Sequence, residues 1–180
     1  MLLSYSTQYY LKNGVPVIIR LLQKDDREGI RIGFQKLSVH SRLCRFLSPL
    51  DHLSKRQLDY LTEIDNVNHF AICAHLNDGE FPTGIGIARY IRLKNEPETA
   101  EIAITIIDEY QNLGLGTKLL ELLIEAAAGN GIKKFTGDVL EENIPMLEIF
   151  KKYSCEYKKY EGKLVTVSLT LSNPAVTSKP

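Results

Sequence analysis

The sequence predicts a mixed α/β fold, one central sheet of about six or seven strands with helices on both faces. Three observations carry the prediction. Between Thr99 and Ala128 an alternating strand runs through a glycine loop into an amphipathic helix. On either side of that unit, strand-like and helix-like runs follow one another with no internal repeat and no linker to a second domain. The length, 180 residues with 44% hydrophobic content, suits one domain with a substantial core, since domains cluster near about 100 to 200 residues.

From the N-terminus, Tyr9-Tyr10-Leu11-Lys12, then Asn13-Gly14, then Val15 to Leu22 read as a hairpin, because both residues of an Asn-Gly turn can take positive φ. Pro16 puts the start of the paired edge beside the turn. Lys24-Asp25-Asp26 is expected to cap a helix whose apolar side is Ile30, Phe34 and Leu37. Ser38 to Phe46 starts a second helix, and the Ser54 hydroxyl is placed to cap a third over Lys55 to Leu61. His69 to His75 is a buried-type strand ended by the turn Asn77-Asp78-Gly79-Glu80. Thr83 to Leu93 is the next strand, and Lys94 to Glu98 a polar turn ahead of the central strand.

After the central helix, Gly129-Asn130-Gly131 is a stop signal. Phe135 to Leu140 is a strand, and Asn143 to Tyr153 a helix with Pro145 in its first turn, where a missing N–H costs little. Glu156 to Tyr160 and Lys163 to Leu171 make a closing hairpin around Glu161-Gly162. The expected organisation is an N-terminal extension with a hairpin strand over 1–16, the main domain over 17–171 and a flexible polar tail over 172–180.

Charge narrows the function classes. Lys+Arg and Asp+Glu are both 22, a net charge of zero, which argues against a nucleic-acid-binding stripe or an anionic-membrane surface. Cys44, Cys73 and Cys155 show no Cys-x-x-Cys spacing and read as reduced thiols of a cytoplasmic protein. His40, His52, His69 and His75 are scattered, so no metal is expected. The start MLLSYSTQYYLK is unlike a signal peptide, and no run reaches the about 18 apolar residues of a membrane span.

Chemistry concentrates in the central unit. Ile102, Ile104 and Ile106 lie on one face of its strand, and Glu101, Ala103, Thr105 and Ile107 on the other. Asp108 to Gly116 breaks that period, and from Lys118 the apolar positions Leu119, Leu120, Leu123, Ala126 and Ala127 recur at helical spacing. A glycine loop at a helix N-terminus suits an anion, typically a phosphate, because the first N–H groups lack intrahelical partners. A Walker A loop does not fit, since Thr117 precedes Lys118, and a Rossmann fingerprint fails at Leu119.

Gln111-x-x-Gly114-x-Gly116, following a strand with Glu101 near its start, resembles the acetyl-CoA-binding motif of the GNAT N-acetyltransferase superfamily. The likeness in element order covers roughly Val17 to Leu171. Leu37-Ser38, Ser41-Arg42, Arg45-Phe46, Ala88-Arg89, Ala100-Glu101-Ile102-Ala103 and Leu140-x-x-Asn143-x-x-Met146 are similar to the acetyltransferase domain of Pat-type bacterial protein lysine acetyltransferases. The resemblance implies the GNAT fold, acetyl-CoA as co-substrate and a protein lysine as acceptor, in a monomer or homodimer. A small-amine acceptor, such as a polyamine or antibiotic, and a silent acyl-CoA sensor are the alternatives.

The resemblance also implies roles. The backbone amides of Leu113, Gly114, Leu115, Gly116 and Thr117 would bind the CoA pyrophosphate, with Gln111 and Asn112 shaping the loop. The backbone of Ile104, Thr105 and Ile106 would pair with the pantetheine arm where this strand splays from the one at Phe135. Asn143 would hydrogen-bond that arm, and Met146 and Phe150 would pack beside it. Phe150 stands where many members carry a tyrosine proton donor; Tyr153 reads as a packing residue.

A lysine amine, with a reference pKa of about 10.4, costs about 4.6 kcal/mol to neutralise at pH 7. Glu101 is expected to act as general base, with partial burial raising its pKa, while a backbone N–H near Thr105 steadies the oxyanion.

Overall fold

A computed structural model describes residues 6–76, 83–160 and 162–171. Among the described residues the elements are β1 (Ser6–Tyr10), β2 (Pro16–Leu21), α1 (Arg27–Lys36), α2 (Val39–Phe46), α3 (Lys55–Thr62), β3 (His69–Leu76), β4 (Gly84–Leu93), β5 (Glu96–Ile106), α4 (Leu115–Gly129), β6 (Lys134–Leu140), α5 (Ile144–Lys151), β7 (Cys155–Lys159) and β8 (Leu164–Thr170). The turn Asn77 to Glu80, Glu161 and the tail from Ser172 lie outside the described residues.

The strands form one mixed sheet in the order β1-β2-β3-β4-β5-β6-β8-β7. Among the described residues only β5 and β6 pair in parallel, joined by the crossover helix α4. β1 joins the edge from Ser6↔Arg20 to Tyr10↔Pro16, which brings the sheet to eight strands.

Alternation assigns the two faces. Val17, Ile19, Ile72, Ala88, Tyr90, Ile102 and Ile104 pack with Leu119, Leu120 and Leu123 of α4 in the main core. A smaller cluster of Phe34, Leu37, Leu53, Leu58 and Leu61 belongs to the α1–α3 layer, where α1 lies against β4 and α2 against β5. Helices therefore cover both faces, as the sequence predicts.

Local chemistry explains most boundaries. Ser54 Oγ accepts from Gln57 N at 3.3 Å while Gln57 Oε1 accepts from Ser54 N at 2.9 Å, a reciprocal cap that starts α3. Ser38 Oγ accepts from Ser41 N at 3.1 Å and starts α2.

Four expectations are corrected. In the first hairpin only Gly14 has positive φ, because Gly14 N donates to Leu11 O to close a five-residue loop and only its last turn position is left-handed. Asn13 uses its Oδ1 to accept from Val15 N instead. Asp26 makes no cap bond to α1, because its carboxylate accepts from the Arg20 guanidinium at 2.7 and 2.6 Å and from Gln23 N at 2.7 Å. The turn before β5 shrinks to Lys94-Asn95, and Glu96 to Glu98 belong to the strand, with a register shift at Arg92/Leu93. The central helix starts at Leu115, three residues ahead of the point where its apolar period becomes visible.

Candidate active site

β5 and β6 pair only at Thr99↔Lys134, Ala100↔Phe135 and Glu101↔Thr136. Beyond that point β5 stays on β4 as far as Ile106↔Gly86, and β6 stays on β8 as far as Leu140↔Leu164. The two strands diverge, and the β5 edge facing the gap has no strand partner among the described residues. The gap is a cavity of about 480 Å³, with Glu101 at the fork and the N-terminus of α4 at the open end.

The loop at that open end is held from several sides. Asn112 has φ 61° and Gly114, the N-cap of α4, has φ 90° and no side chain to cap the first N–H groups. A Cβ on Gly116 would lie 2.6 Å from Ile149 Cδ1, so the glycine lets α4 and α5 approach. Gln111 Nε2 donates to Ile106 O at 3.0 Å and to Ser41 Oγ at 3.2 Å. Asp108 accepts from Ser38 N, Ser38 Oγ and Ser41 Oγ at 3.0, 2.6 and 2.9 Å, fastening α2 to the loop. Burial opposes the Asp108 charge, but the Ser38 and Ser41 hydrogen bonds outweigh it and hold the carboxyl below its usual range.

Two cations border the same end. Lys152 Nζ donates to Thr117 Oγ1 at 2.9 Å, and Lys12 N donates to Leu113 O at 3.0 Å while its side chain runs along Gly114. Both lysines line the cavity. An uncapped helix N-terminus flanked by two ammonium groups attracts an anion from both the dipole and the point charges.

Of the residues singled out in the sequence, Glu101, Ile104, Thr105, Ile106, Gln111, Asn112, Gly114, Gly116, Thr117, Asn143, Met146 and Phe150 line this one cavity. Leu113 and Leu115 do not, because their side chains pack into the main core. Glu101 is exposed, so the expected partial burial of its carboxylate is corrected: it sits at the fork where the pairing of β5 and β6 ends. Asn143 Oδ1 accepts from Met146 N at 3.3 Å and caps α5.

Tyr153 is not among the lining residues, and burial, with Glu121 and Cys155 adding to it, pushes its hydroxyl up to about 12. Burial also raises the Cys73 thiol to about 12 and the Cys155 thiol to about 11. Among the described residues there is no cluster of three metal-ligating side chains, and no helix is long and apolar enough to cross a membrane.

Lys12, Lys152 and Asp108 escape a reading of the sequence alone, and Arg45 enters that reading only through the family likeness. Ser38 carries the usable signal, since a serine before an apolar period marks a cap; its partner Asp108 is 70 residues away. On the α1–α3 side of the sheet lies a second cavity of about 520 Å³, which shares Arg45 and Thr105 with the first.

A mixed sheet split along its parallel pair, with an uncapped helix N-terminus at the open end, defines an N-acetyltransferase type of α/β protein. The profile of the acetyltransferase (GNAT) family matches residues 38–154, and the chain belongs to that family. It is 38% identical over 125 residues to an acetyltransferase of Pseudomonas aeruginosa, covering 69% of this chain and 66% of that protein. It is 30% identical over 123 residues to the acetyltransferase Pat of Mycolicibacterium smegmatis, covering 68% of this chain and 36% of Pat. The crystal structure of the GNAT domain of S. lividans PAT superposes with a TM-score of 0.83 at 27% identity, over 92% of this chain and 97% of that one. The chain thus spans just under two thirds of one curated relative and about a third of the other.

Proposed function

We propose that the chain is an acetyl-CoA-dependent N-acetyltransferase that modifies a protein lysine by direct transfer, with Glu101 as general base. The supporting observation is the split between β5 and β6, which puts an exposed carboxylate and an unpaired strand edge in one cavity with an uncapped helix N-terminus. The residues present fit CoA. Main-chain N–H groups from Leu113 to Thr117, flanked by Lys12 and Lys152, suit a pyrophosphate. The free edge from Ile104 to Ile106 offers N–H and C=O groups to an amide-containing arm bordered by Asn143, Met146 and Phe150.

Bound acetyl-CoA supplies the activated thioester. Glu101 takes the ammonium proton, directly or through water, which offsets the about 4.6 kcal/mol needed to present a neutral lysine amine at pH 7. A main-chain N–H near Thr105 steadies the developing oxyanion. Phe150 has no proton to give, so the CoA sulfur departs as thiolate and solvent protonates it; a thiol reference pKa of about 8.5 makes the thiolate a tolerable leaving group.

Glu101→Gln is expected to lower kcat/KM for acetylation of a lysine-bearing protein by about 10²- to 10⁴-fold, with the Kd for CoA unchanged. Wild-type kcat/KM across pH, with CoA binding intact, would remove Glu101 from the mechanism. A small-amine acceptor is the second reading, favoured by the 520 Å³ cavity on the Glu101 face of β5, a volume that suits a small molecule. Release of CoA thiol with a lysine protein against release with a polyamine panel separates the two.

A further inference from the structure

Two arginines that carry part of the family likeness, Arg45 and Arg89, have no task in the acetyl-transfer scheme. Both line the α1–α3 cavity. Arg89 is only 3% exposed and projects from β4 on the same sheet face as Thr105 and Glu101. Its Nη1 donates to Leu61 O at 3.1 Å and contacts His69 Nε2 at 3.0 Å. Burial and the neighbouring Arg89 charge hold His69 down to about 4, so its imidazole is neutral at pH 7 and accepts that bond. The Arg89 Nε is buried with no hydrogen-bond partner, and so is Thr105 Oγ1 in the same cavity.

A buried guanidinium N–H without an acceptor is costly, and a second guanidinium beside it adds like-charge repulsion. Burial and Arg45 together lower the Arg89 pKa, which places the two cations within each other's field. No side-chain ion pair among the described residues joins either arginine to an acid, although burial, which opposes the Arg45 charge, is partly countered by the Glu101 carboxylate. The rest of the wall is mostly apolar, including Leu22, Ile30, Phe34, Leu53 and Ile85, with Arg20, Asp25, Asp26, Glu28 and Lys36 as its other charged residues. A cavity with one cationic, donor-rich end and an apolar body is complementary to a small molecule with one carboxylate and an aliphatic or aromatic tail.

We propose that the α1–α3 cavity is a binding site for a small apolar carboxylate, whose anionic head docks on Arg89 and Arg45 beside Thr105. The carboxylate accepts from Arg89 Nε and from the Arg45 guanidinium and offsets one of the two positive charges, while Glu101 acts on the Arg45 side. Arginine is suited to this role because its planar fork matches carboxylate geometry. Two sources share this chemistry: an amino acid whose amine is the acetyl acceptor, and an organic acid that occupies the cavity as an effector. The proposal rests on the cavity and not on acetyl transfer, so its test is run without acetyl-CoA.

The test is isothermal titration calorimetry of the full chain with 4-methylpentanoate, its neutral isostere 4-methylpentanamide, and leucine. The carboxylate is expected to bind at least tenfold more tightly than the amide, the scale of one charge-assisted hydrogen bond. That advantage is expected to vanish in Arg89→Gln and to fall several-fold in Arg45→Gln, with far-UV circular dichroism reporting the fold of each. If Arg89→Gln does not fold, the half-buried Arg45→Gln and the wild-type comparison of acid with amide decide the matter. Equal binding of acid and amide, no binding of either carboxylate to the wild type, or an advantage that survives both substitutions overturns the proposal. Leucine binding more tightly than 4-methylpentanoate identifies an amine-bearing acceptor, and the reverse order an effector acid; both orders retain the carboxylate site.

Discussion

Replacing Gly114 by alanine tests whether the loop at the α4 N-terminus is held in a shape only glycine takes comfortably. Gly114 sits at φ 90°, ψ −11°, and its Cβ would fall 3.1 Å from Tyr9 Oη and 3.6 Å from Lys12 Cγ and Cε. Left-handed backbone costs an L-residue about 1–2 kcal/mol. The Tyr9 contact is closer than ordinary van der Waals distance and raises the total to about 1–3 kcal/mol. At about 2–4 °C per kcal/mol for a chain of this size, Tm falls by about 2–12 °C. If the loop moves to relieve the strain it misaligns N–H donors, and losing one charge-assisted bond of about 1.5–3 kcal/mol weakens CoA binding tenfold or more.

Scanning calorimetry gives the Tm, and titration with CoA gives the Kd. Gly114→Asn should recover part of the Tm, since asparagine tolerates left-handed φ. Tyr9→Phe combined with Gly114→Ala should recover the contact share alone. A Gly114→Ala protein with wild-type Tm and wild-type Kd refutes the reasoning.

Ser38→Ala removes the α2 cap and one Asp108 bond. Equilibrium urea unfolding should show a loss of about 1–2 kcal/mol. Lys12→Ala and Lys152→Ala should each raise KM for acetyl-CoA several-fold with kcat little changed, and steady-state assays should show the effect shrinking as salt rises. His69 is held at about 4 against a usual 6.5 by burial and by Arg89, so between those values the unfolded chain carries a proton the folded chain refuses. Stability therefore falls as pH drops from about 6.5 toward 4, and His69→Asn should flatten that slope in urea midpoints measured across the range.

Sequence pattern located β5, the loop and α4 because alternation, glycine punctuation and helical period are local properties of consecutive residues. It misjudged features whose partners are distant or external. Asp26 looks like a cap until Arg20 and Gln23 N claim its carboxylate. Glu96-Pro97-Glu98 looks like a turn because it is polar, yet the polarity records exposure at the end of a strand, not its absence. Burial at Glu101 depends on what α2 covers, which no local pattern encodes. Twelve of the fourteen residues singled out for the site do face one cavity; Leu113 and Leu115 face the core because a helix that starts at Leu115 must bury its first apolar residue.

β5 presents three surfaces at once. Ile102 and Ile104 enter the α4 core, Glu101 and Thr105 face the α1–α3 layer, and the edge toward β6 is free beyond Glu101. Helices α1–α3 can therefore change the shape of the second cavity without touching the core that positions the α4 N-terminus. The limit on that independence is the seam where Asp108 and Gln111 bond Ser38 and Ser41, since it joins α2 to the loop through the Asp108 and Gln111 side chains. Arg45 lies on the same helix, one turn beyond Ser41, and lines both cavities. A ligand that engages Arg45 acts on α2, and α2 is fastened to the loop at the other cavity's open end. Coupling between the two cavities should run through this helix and should weaken in Ser38→Ala, where the cap and one bond of the seam are removed together.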